Sequence, residues 1–447
     1  MNRILIANLN EHTGKEVTLA GWIDVRRDHG KLIFIDVRDR SGIVQVVVSP
    51  KQEHAYKALK EARSEWAVEI TGIVNKRPEN MVNPNIETGD VEISAQKVIV
   101  LSKAHELPFE KEEELNLDTY LDHLPFTLRS RRARDIFTVQ AELIKSFREG
   151  MSEQDFIEYQ NPILVGGDGE GGAEAFKVEY YNDKEALLAT SPQLYKQIMV
   201  GVYEQVFTTT KVFRAEKHAT SRHLSEVVQM DFEMGFIDDH EDVMAVLEET
   251  MRYIVSNVSK KHKDILDTFE VAIPLIPKII PRLTLLGAQE ILKEKYGSDC
   301  IGEPDLEPEH ERQICEWALK EHKSDFVFIT HFPSNKRPFY TFVDEKDETL
   351  SKSFDLLFRG LEINSGGQRV HNYEELFKRI EKKGLDPQVF SFYLEAFKYG
   401  MPPHGGCSTG LERLTARFLG LENVKEATLF PREINRIDTL LSEKSNQ

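Results

Sequence analysis

Apolar and polar residues alternate in separate stretches of this chain, and elsewhere the apolar spacing lengthens to that of a helix. Near the N-terminus, EVTLAGWIDV (16–25), LIFIDVRD (32–39) and IVQVVV (43–48) alternate with the period of two that marks half-buried strands. Residues 51–63 read as a helix, and WAVEITGIV (66–74) and VEISAQKVIVL (91–101) as two more strands. In the second strand Ile33 and Ile35 take one face and Phe34 the other. The charge-rich, proline-containing AHELPFEKEEELNLDTYLDHLPFTLR (104–129) reads as a hinge. Ile136, Phe137, Leu143, Ile144, Phe147 and Met151 then recur at helical spacing over 133–153, and FIEYQNPIL (156–164) reads as a strand containing Pro162. A second alternating stretch closes Phe213–Phe236. Val228, Met230, Phe232, Met234 and Phe236 share one face, and Gln229, Asp231 and Glu233 the other. A strand, a polar loop and a returning strand are expected there. From there to 325 the chain reads as mostly helical, with prolines at 274–281. Strands are expected at FVFITHFP (326–333) and PFYTFVDE (338–345), and a helix from Gly410 with Leu414 and Phe418 on its apolar face.

Five strands with one helix between the third and fourth is the order of an OB-fold barrel, a common oligonucleotide binder. The 447 residues suggest two to four domains. No apolar run approaches the ~18 residues needed to span a bilayer, and the N-terminus has no signal-peptide pattern. Cys300, Cys315 and Cys407 stand far apart, which indicates neither a zinc site nor a disulfide framework. A reducing cytoplasm is expected. The net charge of −18 argues weakly against a polyanion partner, but residues 1–103 carry 15 Lys and Arg against 14 Asp and Glu. A nucleic acid would be met by local basic patches, such as Arg26 and Arg27 or the cluster Arg129, Arg131, Arg132 and Arg134.

The loop after Phe213 holds candidate chemistry. Arg214 and Arg222 offer rigid forks of donors for phosphate or carboxylate oxygens. Glu216 between them suits a donor elsewhere on the ligand. Asp355 and Glu362, seven residues apart, would face oppositely on one straight strand. They converge only across a turn at Arg359-Gly360 or through a bulge. GGDGEGG (166–172) suits a mobile loop.

FRAEKHATSRHLSE (213–226) resembles motif 2 of the class II aminoacyl-tRNA synthetases, in the form found in the aspartate and asparagine enzymes. The other parts of that family follow in order. GWIDVRRDHGKLIFIDVRDRSGIVQV resembles the anticodon-binding domain of aspartyl-tRNA synthetases, and the helix and strand of 133–164 resemble motif 1, the dimer element. PPHGGCSTGLERLTARFLGLENVKEATLFPRE (402–433) resembles motif 3. The segment between the motif 2 hairpin and residue 325 is short and has no room for the large insertion domain of the typical bacterial aspartate enzyme. The resemblance implies an α+β protein: an OB barrel over 1–103, a hinge over 104–129, and a catalytic domain over 130–447 built on an antiparallel sheet flanked by helices.

The resemblance also assigns roles. Phe34 would stack on an anticodon base, Gln45 would read it, and Arg27 and His29 would lie beside it. Glu170 would hold the substrate ammonium, while Gln193, Lys196, Ser365, Arg369 and Arg214 would hold the amino acid. ATP would meet Arg214, Ala215, Glu216, Arg222, His223, Leu224, Glu362 and Gly410-Leu411-Glu412-Arg413. Arg214, Glu216 and Arg413 would be the catalytic set. Asp355 and Glu362, with Ser365 nearby, would hold Mg²⁺, a hard cation that completes its shell with water and phosphate. Ser408 and Thr409 depart from the usual Gly-Leu of motif 3, and Val227 replaces a phenylalanine that stacks on adenine in many members.

The implied activity is ATP-dependent activation of L-aspartate and its transfer to tRNA(Asp). Two cations, Lys196 and Arg369, around one side chain argue for a carboxylate substrate over the amide of an asparagine enzyme. Arg27-Asp28-His29-Gly30-Lys31 is expected to be a loop between the first two strands, and its His29-Gly30 pair accompanies relaxed members of the family, so tRNA(Asn) is expected to be charged too. A downstream amidotransferase would then convert that product. The alternative is a discriminating enzyme. A homodimer is expected, partly because the 133–153 helix needs its apolar face covered.

Overall fold

The computed structural model describes residues 3–84, 86–110, 113–167, 174–217 and 220–437. Glu170 lies outside the described residues. The chain divides into two compact units, Met1–Glu114 and Leu115–Gln447.

In the first unit, strands β1 (Glu16–His29), β2 (Leu32–Arg38), β3 (Ile43–Val48), β4 (Ala67–Lys76) and β5 (Val91–Ser102) close a barrel in the order β1-β2-β3-β5-β4, with helix α1 (Glu53–Leu59) between β3 and β4. The inward residues of the alternating runs fill it. Leu19, Ile23, Ile35, Val37, Val44, Val46, Val68, Ile70 and Ile93 are fully buried. Each such side chain stabilises the barrel by ~1.5–3 kcal/mol. One expectation is corrected here. The polar segment at Arg27, Asp28 and His29 is not a loop. It continues β1, with Arg27 opposite Phe34, Asp28 opposite Ile33 and His29 opposite Leu32. Only Gly30 and Lys31 turn, with Gly30 at φ +64°, where a Cβ would be strained. Residues 27–30 are exposed, so no burial pattern marks this end of the strand in the sequence.

The second unit opens with helices α2 (Leu117–Asp122), α3 (Leu124–Thr127) and α4 (Arg131–Glu153). The latter half of the expected hinge is therefore helical. Leu121, Leu124 and Thr127 are buried, and Arg436 pairs with Asp122. Helix α4 starts where Ser130 accepts a hydrogen bond from the Ala133 amide, a side-chain N-cap. Its apolar face needs no second copy to cover it: Ile136, Val139, Leu143, Phe147 and Met151 pack in one core with Met244, Leu247 and Met251 of the helix His240–Lys261. The expected strand over 156–164 is broken into β6 (Ile157–Glu158) and β7 (Leu164–Val165), which belong to different sheets. Pro162 lies between them and cannot donate to a ladder.

Beyond β7 come β8 (Lys177–Tyr180), β9 (Lys184–Leu188), α5 (Gln193–Tyr203), β10 (Gln205–Phe213) and β11 (Glu226–Gly235). Next are α6 (His240–Lys261), α7 (Lys263–Thr268), β12 (Arg282–Thr284), α8 (Leu285–Ile291) and α9 (Pro308–His322). The chain ends with β13 (Phe326–Thr330), β14 (Ser353–Phe358), β15 (Leu361–Arg369), α10 (Tyr373–Lys382), α11 (Ser391–Lys398), β16 (His404–Gly410) and α12 (Leu411–Phe418). An eight-stranded sheet runs β12-β13-β14-β15-β16-β11-β10-β6. It is antiparallel except at its two ends, where β12 pairs with β13 and β6 with β10 in parallel. Phe236 is not on the apolar face of β11. It follows the strand at φ +58° and is exposed. PFYTFVDE is not a strand either: only single bridges at Thr341 and Val343 tie it to Arg369 and Ser351. No helix among the described residues is long and apolar enough to cross a membrane.

Candidate active site

Strands β11, β16 and β15 lie side by side at the middle of the sheet, and one of its faces floors a cavity of about 320 Å³. The other face of β11, with Met230 and Phe232, packs into the helical core. The polar side of β11 was thus legible as a face, but it is not solvated: Asp231 and Glu233 are fully buried. Of the residues singled out in the sequence, Gln193, Arg214, Glu216, Arg222, His223, Leu224, Glu362, Ser365, Arg369, Gly410, Glu412 and Arg413 line the cavity. Lys196, Ala215, Asp355 and Leu411 do not.

At one end sits a buried ionic cluster. Lys196 Nζ lies 3.1 Å from Asp231 Oδ2 and 3.2 Å from Glu233 Oε2, and donates to the Cys407 carbonyl at 3.1 Å. Arg369 donates through Nε to Glu233 Oε1 (2.9 Å) and through Nη2 to the Gly406 carbonyl (2.8 Å). A Cβ on Gly406 would come within 2.2 Å of both Glu233 Oε2 and the Phe232 carbonyl, so only glycine lets β16 close over the carboxylate. Burial alone would push the Glu233 carboxyl up, but Arg369 and then Lys196 outweigh it and hold it below the ordinary carboxylate range. Lys196 and Arg369 are not two free cations awaiting a substrate carboxylate, as their charges alone imply. Two cations meet two carboxylates already present, so the count by itself does not demand a carboxylate on the substrate. Gln193 accepts from Arg369 Nη2 at 3.4 Å, but its Nε2, like Gln229 Oε1, is buried without a hydrogen-bond partner, although both residues line the cavity. A donor and an acceptor left open in this way suit a zwitterionic amino acid.

The other end is built across the β14–β15 turn. Arg359 (φ +47°) and Gly360 (φ +80°) make the turn, and the register slips between Leu356 and Leu357. The turn and the bulge act together, placing Asp355 opposite Ser365 while Glu362 pairs with Leu357. Asp355 Oδ2 accepts from Arg337 Nη2 at 2.8 Å, and its Oδ1 is buried without a donor. Burial, opposed by Arg337 and reinforced by Glu362, pushes the Asp355 carboxyl up to about 6. Arg413, the third residue of α12, donates to Glu362 Oε2 at 3.1 Å and to its carbonyl at 3.0 Å. No group of three or more His, Cys, Asp or Glu among the described residues could hold a metal. Two carboxylates, one with an open oxygen, and the Ser365 hydroxyl are nevertheless the sparse oxygen set that Mg²⁺ uses when water and phosphate supply the rest.

Arg214 directly follows β10, and its amide bonds the Ser225 carbonyl, so the loop between β10 and β11 leaves the sheet at the cavity. Arg222 pairs with Glu311 of α9, whose Oε2 also accepts from the Glu362 amide at 3.3 Å. Glu412 reaches the backbone of β11 instead of open space: its carboxylate accepts from the Val228 amide at 3.0 and 3.2 Å, and burial pushes it up to about 7. Arg337, Glu311, Asp231 and Glu233 are structural partners that the sequence did not assign. Arg337 lies in SNKRPFY, where no periodicity or spacing ties it to Asp355. Asp231 and Glu233 carried a usable signal, two carboxylates on one face of a strand inside the motif.

In the barrel, Phe34 is half-buried on the outer face of β2, and His29 packs edge-on against it with ring centroids 5.6 Å apart. Arg27 pairs with Asp36 at 2.8 Å. Gln45 donates to Glu92 Oε2 at 3.0 Å and accepts from Arg77 at 3.2 Å, so both ends of its amide are engaged.

Residues 116–434 match the family described as tRNA synthetases class II (D, K and N), and residues 17–101 match the OB-fold nucleic acid binding domain. The chain is 46% identical to an Aspartate--tRNA(Asp/Asn) ligase of Thermus thermophilus, over 97% of this chain and 99% of that one. It is 38% identical to an Aspartate--tRNA(Asp) ligase of Pyrococcus abyssi, over 96% and 97%. Its structure resembles that of asparaginyl-tRNA synthetase from Pyrococcus horikoshii complexed with asparaginyl-adenylate, with a TM-score of 0.89, 31% identity, and coverage of 98% and 99%. A family match across most of the chain, with relatives aligned end to end, agrees with the arginine-lined cavity on the central sheet: the chain belongs to the class II tRNA synthetases of the D, K and N group.

Proposed function

We propose that this protein is an aspartate–tRNA ligase that uses ATP to activate L-aspartate and charges both tRNA(Asp) and tRNA(Asn). The observation that carries the reading is a single cavity in which Arg369, Gln193, Arg214 and Arg413 stand together. Gln193 and Arg369 would hold the amino acid at the floor, with Lys196 fixing the cluster from beneath. Arg214 would draw the α-carboxylate and the α-phosphate together. The carboxylate oxygen attacks the α-phosphorus, the bond to the β-phosphate breaks, and pyrophosphate leaves. The 3′-terminal ribose hydroxyl then takes the acyl group and AMP departs. Catalysis is positioning and charge stabilisation. Bound Mg²⁺ would neutralise phosphate charge. Asp355 and Glu362 would hold it, Arg413 would meet the γ-phosphate, and Glu216 and His223 would face the nucleotide. Glu170 would hold the substrate ammonium.

The relaxed tRNA choice is supported by the higher identity to the tRNA(Asp/Asn) relative and by the His29-Gly30 pair at the barrel hairpin. An imidazole with one donor and one acceptor nitrogen can meet either C or U at the third anticodon base. Phe34 would stack on a base, with Gln45 and Arg27 beside it. Asp-tRNA(Asn) would then pass to an amidotransferase. A homodimer is supported by the exposed apolar residues Ile157, Ile163, Leu164, Val202 and Tyr203, with Ile157 on the edge strand β6. ATP–pyrophosphate exchange with aspartate and with asparagine, followed by charging of both purified tRNAs, tests the whole reading. Exchange with asparagine alone, or tRNA(Asn) charged a thousand times less efficiently than tRNA(Asp), would overturn the corresponding part.

A further inference from the structure

The phosphate end of the cavity is charge-balanced without a ligand. Arg337 Nη2 donates to Asp355 Oδ2 at 2.8 Å, and its Nη1 reaches Ser365 Oγ at 3.4 Å. Arg413 is held on Glu362 in the same way, at 3.1 Å. The proposed metal carboxylates are thus each occupied by an arginine, and both arginines line the cavity where the triphosphate would lie. The Arg337 guanidinium also sits over the Phe332 ring, 3.9 Å from its centroid. That face holds the planar group in place while its edge changes partner.

We propose that Arg337 is a placeholder for the metal ion: it neutralises Asp355 in the free enzyme and is handed to a phosphate of ATP when the cation takes the carboxylates. The proposal rests on the assignment of Asp355 and Glu362 as metal ligands. Its consequence is a coupling between two ligands. A divalent cation arriving alone must displace Arg337 and leave that guanidinium buried and unpaired. A nucleotide arriving without metal must draw off the arginines and leave Asp355 and Glu362 facing each other. Each charge left unpaired in this partly buried site is costly, above all on the buried Asp355. Metal and nucleotide together exchange all the pairs and leave none open, so each strengthens the binding of the other. Asp355 Oδ1 is buried without a hydrogen-bond partner, so this carboxylate keeps coordinating capacity that Arg337 does not use.

Mn²⁺ serves as the probe, read by its paramagnetic resonance signal on the whole protein, with and without an ATP analogue that carries a methylene bridge between its α- and β-phosphates. The wild type should bind Mn²⁺ weakly alone and far more tightly with the analogue, and Asp355→Asn should abolish the tight binding. Arg337→Met removes the competitor. Without nucleotide it should bind Mn²⁺ on the order of tenfold or more tightly than the wild type, the scale of one charged hydrogen bond. The gain on adding the analogue should shrink. A merely structural arginine would lower the melting temperature and leave the metal affinity unchanged or weaker. If Arg337→Met does not fold, Arg337→Lys carries the test, with an intermediate gain in Mn²⁺ affinity expected and no gain overturning the proposal. If the wild type shows no nucleotide-dependent Mn²⁺ binding sensitive to Asp355→Asn, the metal assignment fails and the proposal with it. If that control succeeds but the Arg337 variants bind Mn²⁺ no more tightly than the wild type, the placeholder role alone fails.

Discussion

Replacing Lys196 with leucine should destabilise the catalytic unit as well as impair aspartate activation. Lys196 is 1% exposed, 3.1 Å from Asp231 and 3.2 Å from Glu233. At an effective dielectric of ~20, each such contact is worth ~5 kcal/mol of attraction, set against the cost of taking the ions from water. Removing the lysine leaves Glu233 with Arg369 and the buried Asp231 carboxylate with the Ser408 hydroxyl but without its cation, and breaking a buried pair costs ~3–5 kcal/mol. For a unit of this size that is a fall in melting temperature of roughly 4–7 °C. Pairing Lys196→Leu with Asp231→Asn removes one stranded charge and should recover at least ~1 kcal/mol, a coupling that independent sites would not show. Thermal melts of the wild type, both single variants and the double variant read this out. ATP–pyrophosphate exchange with aspartate should fall about a hundredfold or more in Lys196→Leu, as a loss of ~3 kcal/mol in transition-state binding implies. A Lys196→Leu protein that melts within a degree of the wild type, or a double variant no more stable than the single, would refute the picture of a mutually dependent cluster.

Three further outcomes are expected. Glu412 is raised from 4.5 to about 7 in the fold, so the folded state binds the extra proton between those values and stability falls as pH rises through that window. Glu412→Gln keeps an acceptor for the Val228 amide and removes the charge, so it should gain on the order of 3 kcal/mol over the wild type at pH 8 and little at pH 4.5; an equal effect at both pH values would show that ionisation is not the cause. His29→Leu should shift tRNA preference towards tRNA(Asp) by ~10–200-fold, the worth of one pocket contact, and an unchanged ratio of charging efficiencies would remove His29 from the recognition surface. Sedimentation at micromolar concentration should give a dimer mass, and a fully active monomer would contradict the proposed assembly.

Periodicity and motif spacing located the barrel, the β10–β11 hairpin and the α12 helix, because each is a local pattern with one buried face. The resemblance carried by residues 213–226 and 402–433 then named a family that the comparisons bear out. Where burial is two-sided or absent, the sequence was mute or misleading. The polar end of β1 read as a loop because neither face is buried. Asp231 and Glu233 read as the polar face of a strand, since nothing local indicates that Lys196 of α5 and Arg369 of β15, 35 and 136 residues from their respective partners, are brought there to neutralise them. The interval between Asp355 and Glu362 left turn or bulge open, and the fold uses both. Arg337 had no sequence signal at all. Secondary structure follows from side chains within a few residues of one another, whereas the charge balance of a buried site depends on strands brought together from across the chain, and only the tertiary structure decides which ions meet.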